Sequence, residues 1–489
     1  MDLVELSAST SEYVAAHAMA EPNRLAIIFG EQMVSYGVLY QHIQNFTLGL
    51  HELGVKPGEK CIIKISHPYV HWLIILALEN LAAISCSAKF EEEQTLWDLY
   101  DCMDKVISQD ELPIDVKSNH VHLAGNWVQK HLDKVSDAAS YQKIVRHFGP
   151  MAGQRVKRSS GTTGGMKAML SLHQGEESLI KAYSEVMGFT KDTRYLVANI
   201  FVITSVQLCA TLCLRLGALV IFEMGANRLK LVEKHRVTHM RLFQSQLLDT
   251  LKRVEGVGHV KPRNLTVILG ASPISQILWD RILNVLGTNI VYTYNANECG
   301  SICNMKPGGL GVVRAGVQVS IVDDDDRTLP DGETGRIRVK TPTMVMGYLN
   351  NEQASQRNYK DGWFYTGDAG CFVGERQLKL MGRVDDVINL GGFKHSCVEF
   401  ETIAESIAGI EEACVATAPD QQGIDRLVII GVLSPAVEKQ KILERIRTLF
   451  PPIILEGGRV LFTDKLIRNE SGKLNRKAMQ LSIGQAPAA

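Results

Sequence analysis

Between Arg158 and Met169 the chain reads RSSGTTGGMKAM, a run that packs Ser159, Ser160, Thr162 and Thr163 around Gly161, Gly164 and Gly165 and then places Lys167. Glycines let backbone N–H groups approach an anion closely, hydroxyls donate to its oxygens, and a lysine adds a full charge. The composition therefore suits a phosphate. It is not a Walker loop, because Lys167 is followed by Ala168 where that motif needs Ser or Thr. A bare Gly/Ser/Thr run is equally a surface loop, so the rest of the chain must say which chemistry applies.

The elements that would position this segment begin with the bulk of the chain. Its 489 residues exceed one compact core, and two or more domains are expected. A hydrophobic fraction of 45% and a net charge of -1 describe an ordinary globular protein. They give no support to a broad nucleic-acid-binding or anionic-membrane surface. The ten cysteines show no zinc spacing and read as free thiols. No signal peptide is evident, so the cytoplasm is the expected compartment. The most apolar run, HWLIILALENLAAISC, is interrupted by Glu79 and Asn80 and reads as a core helix rather than a membrane span.

Helical and strand patterns alternate along the chain. YGVLYQHIQNFTLGLHEL has helical apolar spacing, and VKPGEKCIIKIS is a turn feeding a strand. RYLVANIFV, GALVIF, NLTVILGAS and NIVYTYN are short apolar runs separated by helical segments. That order predicts an α/β fold of layered, largely parallel sheets, with ligands beyond the carboxyl ends of the strands. LGASP and YNANECG fall at those ends. From about residue 310, VQVSIVDDDDRTLPDGETGRIRVKT predicts a β-rich subdomain, GRVDDVINLGG a turn-rich joint, and the last hundred residues a smaller α+β unit. The expected division is a large domain over 1–383 and a small one over 384–489.

In its residue order the segment Ser160-Gly161-Thr162-Thr163-Gly164-Gly165-Met166-Lys167 resembles the phosphate loop of the adenylate-forming superfamily, which includes acyl-CoA synthetases, luciferases and adenylation domains. Met166 stands where the family carries proline. Further resemblances follow in order. Gly270-Ala271-Ser272-Pro273 is similar to the turn near the adenine. YNANE resembles Tyr-Gly-x-Thr-Glu, with Asn295 and Asn297 replacing glycine and threonine. GWFYTGDAG, 362–370, resembles the family's aspartate segment, and GRVDDVINLGG its hinge. NESGKLNRKAM resembles the terminal lysine motif. The resemblance implies that Ser159 and the 160–167 loop hold phosphates, that Gly270, Ala271 and Ser272 flank the adenine and that Tyr294 stacks on it. It implies Asn295 and Asn297 beside the nucleotide, Glu298 as ligand of Mg²⁺, and Asp368 and Arg383 on the ribose. Asp385 would be the pivot, Gly391 and Gly392 would line the thiol approach, and Lys473, with Glu298 and Thr163, would be catalytic. Taken singly, Tyr294 reads equally as a core aromatic, Glu298 as a loop carboxylate and Lys473 as a solvated lysine.

The activity implied is ATP-dependent activation of a small carboxylic acid to an acyl-adenylate, followed by thioester formation with coenzyme A. Alternatives are loading of a carrier protein's phosphopantetheine, and a catalytically degenerate adenylate-binding protein. A monomer or homodimer is expected. Asn199, Phe201, Val202, Gln244 and Ser245 are the acid-pocket candidates. Val202 takes the position where amino-acid-activating relatives carry aspartate, and no carboxylate lies between Asn199 and Leu214. A buried ammonium without a partner is costly, which favours a neutral acyl or aryl acid over an α-amino acid. Asn199 is either a contact to a ring hydroxyl or a strand-end residue bonded to backbone. Gln244 is either a polar contact to the acid or the cap of the following helix.

Overall fold

A computed structural model describes residues 8–88, 97–111, 119–160, 166–223, 228–254, 264–270, 274, 276–286, 289–349, 351–384, 387–390, 393–419, 425–435, 437–450, 452–468 and 474–483. Its architecture is mixed α/β, as the alternation predicts. One sheet runs His120–His122, Lys105–Ser108, Lys60–Lys64, Ile84–Ser87, Gly153–Ser160, Met166–Leu172. Its strands pair in parallel except for the last two, an antiparallel hairpin in register Ser159↔Lys167 and Ser160↔Met166. Of the expected phosphate loop, 160–167, residues 161–165 lie between these two strands and outside the described residues.

The second sheet carries a parallel centre, Leu25–Phe29, Leu219–Phe222, Arg194–Leu196, His239–Arg241, Thr266–Gly270 and Asn289–Ala296. Leu219–Phe222 is buried at every position, which is why LVIF is apolar throughout rather than alternating. Between the two sheets lies the principal core, including Trp72, Tyr195, Phe201, Phe222 and the thiols of Cys209 and Cys213. The helix Pro68–Asn80 crosses it, buried along its whole length after Pro68. Its two polar interruptions are satisfied there: Thr10 N donates to Glu79 Oε1 at 3.1 Å, and Asn80 Nδ2 donates to Thr47 Oγ1 and Tyr141 Oη, each at 3.1 Å. No described helix is long and apolar enough to cross a membrane. All ten cysteines are free.

The strands of the expected β-rich segment extend the second sheet. Gly300–Met305 pairs antiparallel with Asn289–Ala296, and Leu310–Val313, Gln377–Arg383, Trp363–Gly374, Gly335–Lys340 and Gln318–Val322 continue outward. The hydrogen-bond ladder is therefore continuous from the parallel centre to the strands that carry Asp368 and Arg383. The acidic turn DDDD is tied down through Asp326, which accepts from Arg336 Nη2 at 2.9 Å and Tyr365 Oη at 2.9 Å.

Beyond Val384 a distinct hydrophobic cluster forms around Phe400, Val415, Ile429 and Phe450. It sits on the sheet Ile410–Pro419, Asp425–Leu433, Arg459–Thr463. The hairpin Val387–Leu390 and Phe393–Ser396 precedes it, and Ser396 caps the helix Cys397–Glu405 by accepting from Glu399 N at 3.3 Å.

Candidate functional site

The site is assembled from strand ends and the turns that follow them. Asp368 and Arg383 are direct cross-strand partners, and Arg383 Nη1 donates to Asp368 Oδ1 at 3.0 Å and to the Thr366 carbonyl at 2.8 Å. Gly367 makes this possible. Its φ is +74°, and a Cβ there would stand 2.4 Å from Arg383 Nη2. On its other oxygen Asp368 accepts from the hydroxyl of Tyr294, which reaches it from the strand Asn289–Ala296 in the parallel half of the same sheet. Burial and then the Asp368 carboxylate push that hydroxyl well above the usual tyrosine range.

A second cluster adjoins the first. Glu298 is buried, and Tyr348 Oη donates to its Oε1 at 3.0 Å. The Lys167 ammonium lies 4.9 Å above the Tyr348 ring. Burial lowers the lysine below its usual range. Glu298 opposes that shift, while Arg357 and Arg383 add to it. Lys167 thus sits within electrostatic reach of both clusters. The turn carrying Glu298 is held close by its backbone: Val345 N donates to the Glu298 carbonyl at 2.9 Å, and Thr343 Oγ1 donates to the Cys299 carbonyl at 2.6 Å. Gly300, at φ +74°, makes room, since a Cβ there would meet Thr343 Oγ1 at 2.5 Å.

The two asparagines take different roles. Asn297 Nδ2 donates to the Arg158 carbonyl at 2.9 Å, binding the Glu298 turn to the hairpin that leads into the phosphate-loop segment. Asn295 Nδ2 donates to Thr293 Oγ1 at 2.8 Å. Gly270 ends its strand beside Asn295, with Ala271 and Ser272 beyond it outside the described residues. The hairpin is anchored from below. Lys157 Nζ stands 2.6 Å from Glu176 Oε1, and Ser171 Oγ donates to the same oxygen at 2.5 Å. Burial alone would raise the Glu176 carboxyl, but Lys157 and Arg155 outweigh it and hold the group below its usual range.

The acid-pocket candidates divide. Asn199 is buried and its Nδ2 donates to the Arg241 carbonyl at 2.6 Å. Phe201 packs in the core, with ring centroids 5.2 Å from Trp72 and 5.1 Å from Phe222. Val202 is half-buried at the turn that follows. Gln244 begins the helix Gln244–Val254 and lines a cleft of about 280 Å³ with Leu248, Arg281, Glu405 and Ser434. The capping belongs to Gln246, which accepts from Phe243 N at 3.1 Å and donates to the Ala198 carbonyl at 2.9 Å. Ser245 lies on the same helix, its side chain outside the description. Thr163 with its loop, Asp385, Gly391, Gly392 and Lys473 also lie outside the described residues, as do the side chains of Ser159 and Ser160. The flanks of two of these segments are visible: Leu390 pairs with Phe393, and Arg468 with Leu474. Sequence reasoning assigned nothing to Tyr348. Its signal was the segment GETGRIRVKTPTMVMGYL, whose one tyrosine reaches back to Glu298.

Layered sheets and a Tyr–Asp–Arg chain beside a Lys–Tyr–Glu cluster frame the site. The fold is that of the adenylate-forming enzymes, and residues 158–349 match the family described as AMP-binding enzyme. The superfamily resemblance carried by the motifs therefore stands. Among curated proteins, the chain is 23% identical to the 2-hydroxy-7-methoxy-5-methyl-1-naphthoate–CoA ligase of Streptomyces carzinostaticus, covering 98% of this chain and 93% of that one. It is 24% identical to a 2-succinylbenzoate–CoA ligase of Bacillus cereus, covering 96% of this chain and 98% of that one. Among solved structures, ATP-bound MatB from Rhodopseudomonas palustris superposes with a TM-score of 0.84 at 18% identity, over 97% of this chain and 99% of that one.

Proposed function

We propose that this chain is an AMP-forming acid–CoA ligase acting on an acyl or aryl acid. The observation that carries the reading is the hydrogen-bonded chain Tyr294–Asp368–Arg383, with Lys167 in electrostatic reach of both Arg383 and Glu298. A carboxylate with two acceptor oxygens suits a vicinal diol, an aromatic face suits a purine, and a lysine beside a buried glutamate suits a triphosphate with its metal. The CoA ligases among the relatives support the same reaction.

ATP is the first substrate. Asp368 and Arg383 take the ribose, the Tyr294 ring takes the adenine, and Lys167 with the 160–167 segment takes the phosphates. Glu298 offers a hard oxygen ligand for Mg²⁺, whose charge offsets that of the phosphates when bound. A carboxylate oxygen of the acid then attacks the α-phosphorus and the bond to pyrophosphate breaks. Two anions must meet for this. Contact attraction to a cation is worth about 1 kcal/mol in water and roughly four times that at a shielded site, so excluding water matters. Residues 384–489 serve as the lid, turning about Asp385 and delivering Lys473 between the carboxylate and the α-phosphate. In the second step the lid turns away and a thiolate approaches past Gly391 and Gly392. Its sulfur attacks the acyl carbon, and the bond to AMP breaks. Coenzyme A is the acceptor that the relatives' names support; a carrier protein's phosphopantetheine offers the same thiol.

Pyrophosphate exchange into ATP with a panel of acyl and aryl acids tests the reading. Acid-dependent exchange, followed by thioester formation on adding CoA, is expected. Exchange with no acid of any kind contradicts it and leaves an adenylate-binding protein without catalysis.

A further inference from the structure

Arg241 is the last residue of the strand His239–Arg241, in the centre of the parallel sheet and in register with Ile268. Its side chain belongs to a residue only 4% exposed, and neither Nε nor Nη1 has a hydrogen-bond partner. Among the described residues no carboxylate stands within ion-pair distance. A guanidinium does not give up its proton in a protein. The titratable groups within its field are the Tyr183 and Tyr195 hydroxyls and the Cys209 thiol. Burial raises all three, Tyr183 to about 12 and Cys209 to about 11. All are neutral at physiological pH, so the chain sets a buried cation among groups that do not compensate it.

A further buried polar atom nearby lacks a partner, Asn295 Oδ1. A Cβ on Gly270 would lie 3.1 Å from Arg241 Nη2 and 3.8 Å from Asn295 Nδ2, so both residues converge on the end of one strand. Turning the Asn295 amide over would keep a bond to the Thr293 hydroxyl, now as donor, and bring the NH₂ to the orphaned position. A buried charge is tolerated when an opposite charge meets it, and a ligand supplies that charge as well as a side chain does.

We propose that Arg241 receives a second anionic group on the acid substrate, so that the enzyme activates a dicarboxylic acid at one end while Arg241 holds the other. The inference rests on the acid-activating reading above and narrows its substrate class. The position agrees: Gly270 and Asn295 stand at the carboxyl ends of parallel strands, and the strand of Asn295 leads directly to Glu298. A site built around hydrogen bonds to one group rejects an analogue that lacks it, because its own polar groups are then left unpaired.

The test compares short aliphatic and benzene dicarboxylic acids with their half-amides and with the matching monoacids, in pyrophosphate exchange. The expected result is at least one diacid whose kcat/KM exceeds that of its half-amide by about 100-fold or more. Arg241→Met should reduce the gap to less than about tenfold by raising KM for the diacid, with KM for ATP unchanged, and Arg241→Lys should restore part of it. Monoacids or half-amides that serve the wild-type enzyme as well as diacids overturn the inference and leave the ligase reading intact. So does an Arg241→Met enzyme whose KM rises for ATP instead, which would assign the charge to the nucleotide. Should the variant fail to fold, the wild-type comparison decides alone. Exchange with no acid removes the ligase reading and this inference together.

Discussion

Asp368 and Arg383 face one another across two antiparallel strands, joined at 3.0 Å, and the glycine before Asp368 is what lets the guanidinium lie against the backbone. The same carboxylate accepts the Tyr294 hydroxyl from a strand of the parallel half. One acidic side chain thus fastens the two halves of the large sheet at the point where the nucleotide is proposed to bind.

Asp368→Asn should therefore weaken ATP binding more than it weakens the fold. Hydrogen bonds to charged groups are worth about 1.5–3 kcal/mol each, so an increase of roughly 10- to 100-fold in the dissociation constant is expected by titration calorimetry. Asp368 and Arg383 are partly exposed, with side-chain exposures of 15% and 38%, so their ion pair adds little to stability. Unchanged ATP affinity in this variant would remove Asp368 from the nucleotide site.

The hairpin that presents the phosphate-loop segment stands on Glu176, which Lys157 and Ser171 grip from its two strands. Glu176→Gln leaves the Lys157 ammonium buried without its counter-charge. Breaking a buried pair from one side costs roughly 3–5 kcal/mol. A fall of several degrees in melting temperature by calorimetry is expected, along with a raised KM for ATP. A variant as stable as wild type would show that the network does not anchor the hairpin.

Acid should destabilise the protein through His71. This imidazole is buried and pushed down to about 4, first by burial and then by Arg155, against a usual value of 6.5. The folded state keeps it neutral between Ile65 O at 3.1 Å and Ser87 Oγ at 2.9 Å. The unfolded chain binds the proton first, so this stability is complete above pH 6.5 and is lost as pH falls toward 4. Its size is on the order of 3 kcal/mol. Urea melts at pH 7 and 5 should show the loss in wild type, and His71→Gln should reduce it; an equal loss in both contradicts the assignment.

Glu405 acts with the opposite sign. Burial raises its carboxyl to about 8, although Ala413 N donates to it at 3.2 Å. The folded state holds a proton that the unfolded chain releases near pH 4.5. Stability from the neutral group is therefore full below 4.5 and falls as pH rises to 8. Glu405→Gln keeps the acceptor and removes the titration. The variant should gain on wild type by a few kcal/mol, roughly, between pH 5 and pH 8. No difference in that pH dependence would place Glu405 ionised in the fold.

Much of this was legible from residue order. LVIF and the VIL of TVILG read as buried parallel strands because they are continuous apolar runs, and the helix Pro68–Asn80 announces itself by length and composition. Tyr294, Glu298, Asp368 and Arg383 stood out because short motifs carry them. Partners made by topology did not. Tyr348 reaches Glu298 from fifty residues away, and Lys157 meets Glu176 only because a hairpin folds against a helix. Arg241 left one trace, a charged residue at the end of the short strand HMR. That no described carboxylate meets it could be seen only once the neighbours were in place. The continuous sheet was equally hidden, because alternation in 318–340 shows that strands form and not which edge they join.

The most direct measurement of the central claim is product analysis of one incubation containing the protein, ATP, Mg²⁺, CoA and the acid that supports exchange. Mass spectrometry should find AMP, pyrophosphate and the acyl-CoA thioester in equal amounts, with no ADP. ADP and phosphate as the nucleotide products, or AMP formed without any thioester, would contradict it.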